Sequence, residues 1–168
     1  MRPADYAMPD ESPWRVTQRI RVRLRRAACT LSYMSRVRTV ASSQRPGLQA
    51  HRESVELDIT EIVSQLRDMV GAKLVAYVGN VKNTRPVGDW AAGRRSPGSE
   101  DEKRLRLAFQ TARLLSERYS PTNIQAWMIG SNPSLKFESP ARAIKNADNV
   151  ADVAREIMNA ATSFAFIG

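Results

Sequence analysis

From about residue 57 onward the apolar positions recur with a helical period, and the polar positions between them carry the start and stop signals. Ile59, Ile62, Val63, Leu66, Met69 and Val70 fall on one face behind Asp58, with Glu61 three residues after the cap, which predicts a helix entered through a capping box and closed at Gly71. Leu74, Val75 and Val78 predict a short second helix ending at Gly79. After a polar turn over 80–84, Pro86 sits in the first turn of a third helix carrying Val87, Trp90 and Ala91 and closed by Gly93. Ser99 and Glu102 read as the capping box of the longest helix, which runs to about Tyr119. Its stripe is Leu105, Ala108, Phe109, Ala112, Leu115 and Tyr119, while Leu107 and Leu114 lie off it. Apolar on two sides, it is expected at the centre of the fold. Ser120-Pro121 opens a helix whose buried face is Ile124, Trp127 and Met128, Gly130 breaks it, and Asn132-Pro133 turns the chain. Leu135 and Phe137 are apolar in an otherwise polar loop. Ser139-Pro140 starts another short helix through Ile144. Asp148 or Asn149 caps the last, where Val150, Val153, Ala154, Ile157, Met158, Ala161 and Phe164 keep one stripe. The pattern is all-α.

Residues 1–52 read instead as a basic tail. The alternation Ile20-Arg21-Val22-Arg23-Leu24-Arg25 is strand-like but has no second run to pair with, and 42–47 breaks regular structure. Ten arginines and three acids fall among the first 50 residues, against sixteen bases and fourteen acids in the rest, so the formal charge of +9 belongs mostly to the tail. Three readings stay open: a disordered basic arm that touches DNA, a solvated extension, or residues upstream of the native start, with Met34 as that start. Clustered arginines favour a polyanionic partner through counterion release.

The remaining chemistry narrows the function classes. A single Cys29 cannot form an intrachain disulfide and a single His51 cannot build a His-rich metal site, and both facts suit a reducing cytoplasm. No run of about eighteen apolar residues is present to span a membrane. No nucleophile stands with a base, and no glycine-rich phosphate cradle is present. Asp58, Glu61, Glu100, Asp101 and Glu102 all fall at first helical turns, where the helix dipole accounts for them. The expectation is a protein without enzymatic activity, cofactor or metal. The apolar residues at Phe164, Phe166 and Ile167 predict burial of the C-terminal end against the chain's own core or a partner.

Two stretches carry a resemblance. Trp127, Gly130, Asn132, Pro133, Leu135 and Pro140, set between a long helix and an amphipathic one, resemble the toxin-binding domain of the Xre/MbcA/ParS antitoxins, whose partners are RES-domain toxins. Upstream, three short helices ending in Trp90-x-x-Gly93-x-x-x-Pro97 resemble the helix-turn-helix of Xre-type regulators. The resemblance implies a helix-turn-helix-like module over 53–98 packed on a toxin-binding domain over 99–168. It implies an antitoxin that occludes the NAD pocket of a RES-domain toxin, a NAD-degrading enzyme or ADP-ribosyltransferase, and that represses its own operon. Trp127, Gly130, Asn132, Pro133 and Leu135 would build the docking surface, and Phe164, Phe166, Ile167 and Gly168 the blocking end. Lys82, Asn83, Thr84 and Arg85 would face the major groove of operator DNA, with Arg94 and Arg95 on phosphate. A homodimer or a toxin–antitoxin hetero-oligomer is the expected assembly. Read without the resemblance, the Trp127 stretch is also a helical hairpin whose tryptophan fills a core, and the three short helices are also a unit for packing or dimerisation. The alternative function is a stand-alone Xre-like transcriptional regulator.

Overall fold

The computed structural model describes residues 47–166, and residues 1–46 of the stretch read as a tail, with Ile167 and Gly168, lie outside the described residues. Eight α-helices and one 3-10 turn, with no strand, make up the described residues: α1 Leu48–Glu56, α2 Ile59–Val70, α3 Ala72–Val78, α4 Arg85–Ala91, α5 Ser99–Leu115, α6 Pro121–Ile129, a 3-10 turn Pro133–Leu135, α7 Pro140–Asn146 and α8 Val150–Phe166. The fold is therefore all-α.

The long helix α5 is the centre of the packing. Its stripe from Leu105 to Leu115 and the off-stripe residues Leu107 and Leu114 are all buried, so α1 and α2 pack on it as does α8. Leu66, Phe109, Ile124, Met128, Ile144 and Ile157, from five different helices, belong to one continuous core. At roughly 1.5–3 kcal/mol for each large side chain removed from water, this core dominates the stability.

Several helix starts follow from their caps. Asp58 accepts from the Thr60 N–H at 2.9 Å and begins α2, while Glu61 accepts from Gln65 instead of reaching back to the cap, so no reciprocal box forms. Ser139 accepts from the Arg142 N–H, and Asn149 from the Ala151 N–H. At α5 the expectation fails: Gly98 is the capping residue, Ser99 is already helical, and no side-chain cap bond is made. The acids of that first turn instead hold basic residues one turn on, Glu100 with Lys103, Asp101 with Arg104 and Glu102 with Arg106. α5 also stops at Leu115, with Tyr119 beyond it.

The helix α1 lies partly within the stretch read as tail. It buries only Ala50 and Ser54 fully, and its two large apolar residues, Leu48 and Val55, face solvent. Polar bonds from α5 fasten it. Arg106 donates through Nη1 to the Ser54 and Leu57 carbonyls, satisfying acceptors that a helix end leaves free. Arg113 clasps Glu53 at 2.6 Å.

Candidate functional site

The C-terminal end of α6, the loop after it and the last turns of α8 enclose a groove of about 440 Å³. Trp127, Gly130, Asn132, Pro133 and Phe164 line it, joined by Ser131, Ser134, Ala160 and Ser163. These positions come together because Leu135, 5% exposed, anchors the 3-10 turn in the core against α8.

Trp127 and Phe164 are the aromatic part of the wall, and Tyr119, outside the lining, stacks on Phe164. The Phe164 ring stacks on Tyr119 with centroids 4.7 Å apart and lies 6.0 Å from Trp127 at a tilt of 33°. The Tyr119 hydroxyl donates to the Phe164 carbonyl at 3.0 Å, tying the last turn of α8 to the segment after α5. Two residues on, Phe166 carries the Arg118 guanidinium 4.7 Å over its ring. Trp127 is half-buried, whereas Ile124 and Met128, its neighbours on α6, are fully buried. Gly130 ends α6 with its N–H donating to the Ala126 carbonyl, and a Cβ there would stand 3.0 Å from that same oxygen.

Asn132 builds the loop with both of its faces. Its side-chain oxygen accepts from the Ser134 N–H, and its carbonyl accepts from the Leu135 and Phe137 N–H groups. Its own N–H donates to the Glu138 carbonyl, and the Ser131 hydroxyl donates to the Phe137 carbonyl at 2.7 Å. None of the groove residues is ionisable, so the site offers an apolar wall with hydroxyl and amide groups along its edge. That chemistry suits an uncharged or apolar group.

The second predicted set lies on α4 and its flanks. Lys82, Asn83, Thr84 and Arg85 are consecutive and exposed, and the Asn83 side chain accepts from the Arg85 N–H at 3.1 Å. Arg94 and Arg95 are exposed after the helix, but Arg94 is paired with Asp89 at 2.6 Å. Beneath them Trp90 is 4% exposed and covers Gly79, where a Cβ would stand 2.9 Å from the indole ring; only glycine admits so close an approach.

Carboxylates with shifted pKa values lie elsewhere. Asp58 is held below the usual carboxylate range by the Thr60 N–H, and Glu100 by its hydrogen bond from Lys103. Burial pushes Glu53 up, but hydrogen bonds from Gln49 and Arg113 with the Arg113 charge outweigh it and leave the carboxyl lowered. No group of three or more His, Cys, Asp or Glu among the described residues could hold a metal ion, and no described helix is long and apolar enough to cross a membrane.

Sequence reasoning missed Ala160 and Ser163 as parts of the site. A partial signal was available for Ala160 alone: it lies one helical turn before Phe164, so a small residue beside an aromatic one on α8 marks a recess without stating which loop faces it. Comparison of the chain with protein-family models, curated proteins and solved structures finds no match.

Proposed function

We propose that this chain is an antitoxin of the Xre type that docks a RES-domain toxin on the Trp127 groove and blocks its NAD pocket by occlusion. The observation that carries this reading is convergence: Trp127, Gly130, Asn132 and Pro133, expected on the docking surface, line one groove with Phe164 of the expected blocking end, while Leu135, expected on the same surface, is buried in the core. The groove has no ionisable lining and an aromatic wall, as the desolvated centre of a protein–protein contact requires. In this reading 99–168 is the toxin-binding part, with Phe166 and the residues after it as the blocking end. The residues over 53–98 are the helix-turn-helix-like part.

The test is cellular. The neighbouring reading frames are first searched for a RES-domain protein; any that is found is induced alone, then with the chain, then with its Trp127→Ala variant, while growth and cellular NAD are followed. The chain should restore both, and the variant should restore neither. A toxin that drains NAD regardless of the chain defeats the proposal.

A second reading, DNA binding by the α2–α4 module, is favoured by the four consecutive exposed polar residues Lys82 to Arg85 at the start of α4. Autoregulation by an antitoxin and action as a stand-alone regulator both use it. A promoter fragment from the operon should shift with the chain, and the shift should weaken in Arg85→Ala or Arg95→Ala; an unchanged shift in both removes those residues from the interface.

A further inference from the structure

The helix α1 depends on its docking. A helix of 9 residues is not stable alone in water, and this one has no side-chain cap bond, no acid in its first turn and no base in its last. Its main support is α5, yet Leu48, Gln49, His51, Arg52, Val55 and Glu56 are all exposed, and within the helix Ala50 is the one fully buried apolar residue. The remaining hold is polar. Arg113 pairs with Glu53 at 2.6 Å, and Arg106 Nη1 donates to the Ser54 and Leu57 carbonyls at 2.8 and 3.1 Å. A segment with so little apolar burial opens at a lower free energy than the core it lies on.

Each side of that polar hold keeps a partner when α1 leaves. Arg106 Nε donates to Glu102 at 2.8 Å and Arg113 Nη1 to the Ser116 hydroxyl at 3.1 Å, while the Glu53 carboxylate accepts from Gln49 of its own helix at 2.6 Å. Undocking therefore strands no buried charge. The hinge is equally prepared: Leu57 is extended, and α2 begins on its own cap, the Asp58 carboxylate accepting from the Thr60 N–H, so α2 does not need α1 to start. At the other end Gly47, with φ of 79°, stands against α5, where a Cβ would lie 3.4 Å from Leu114 Cδ1, and Leu114 is fully buried. We propose that α1 is a detachable strap, which leaves α5 as one unit while α2 to α8 stay folded and uncovers the apolar flank of α5 around Leu114. The protein thereby has an apolar surface, apart from the Trp127 groove, that exists in a covered and a bare state. The proposal does not depend on what the groove binds.

Hydrogen exchange on the full chain tests it. At low urea, α1 amides should be protected about tenfold less than amides in the middle of α5, and their protection should depend less on urea because less surface is exposed. Two variants identify the event. Ile157→Val, in the core on α8, should lower protection in α5 and leave α1 within about twofold of the original chain. Glu53→Gln should lower α1 protection about threefold, as loss of a partly exposed ion pair does. In a Cys29→Ser background, Leu114→Cys should react with a thiol reagent at the pace at which α1 opens in that same variant. If α1 protection falls in step with α5 in Ile157→Val, the helix opens only with the whole fold and the strap is overturned. If the Leu114→Cys thiol reacts only at the pace of α5 opening, undocking bares no flank, and the proposal is overturned as well.

Discussion

Trp90 and Trp127 are the same residue type, each at the end of a short helix and each within a glycine-containing stretch, yet the molecule uses them in opposite ways. Trp90 packs against Gly79 in the core of the α2–α4 region, with its Nε1 buried and without a hydrogen-bond partner among the described residues. Trp127 stands half out of the surface as one wall of a groove, facing Phe164. What decides between the two is the element opposite. A glycine backbone admits one indole completely, whereas the second meets another aromatic ring with a recess left at Ala160. One tryptophan is sealed in the core; the other stands half open at a groove.

Truncating each ring separates the roles most strongly. Trp90→Ala should cost about 3–5 kcal/mol in urea unfolding, as expected for a fully buried aromatic side chain. Trp127→Ala should cost less than about 2 kcal/mol, since only part of its area leaves water. Equal losses would erase the distinction. Acid sharpens the contrast without touching either ring. Glu53 has its folded pKa lowered, so it adds stability that is fully present above its ordinary value near 4.5 and is lost as pH falls through the folded value. Glu53→Gln should therefore flatten the acid side of the stability–pH curve, and Trp127→Ala should leave its slope unchanged because the groove has no titrating group. The smallest effect is expected on the outer face of α4, where Asp89→Ala breaks an exposed pair with Arg94 and should change stability by no more than about 0.5 kcal/mol. If the module binds DNA, the same change releases Arg94 for phosphate and should steepen the salt dependence of the promoter shift.

Most of the helices were legible because their burial is carried by large apolar residues at helical spacing. The stripe of α5 with Leu107 and Leu114 outside it announced a central helix, and that is how α5 packs. The helix α1 was not legible, for a physical reason: it buries an alanine and a serine, exposes Leu48 and Val55, and is fixed by arginines that belong to α5. Arg106 and Arg113 are seven residues apart and so share a face of α5, a hint that a polar-fastened neighbour lies there. Cap positions were partly legible. Asp58 caps as its sequence context predicts, whereas at α5 Gly98 is the capping residue, Ser99 is already helical, and the acids of the first turn pair with Lys103, Arg104 and Arg106. Of the groove, the α6 and loop residues could be named in advance. Its opposite wall could not, since nothing in the spacing of Ala160 and Ser163 states which loop α8 will meet.

The half-open setting of Trp127 gives the molecule an optical reporter of its own. An indole beside water emits at longer wavelength than one in a dry surrounding, and any occupant of the groove displaces water from this ring. Trp90, sealed in the core, keeps its emission and serves as an internal standard. With Trp14 replaced by phenylalanine to remove the third source, docking can be followed by a blue shift in the unlabelled chain.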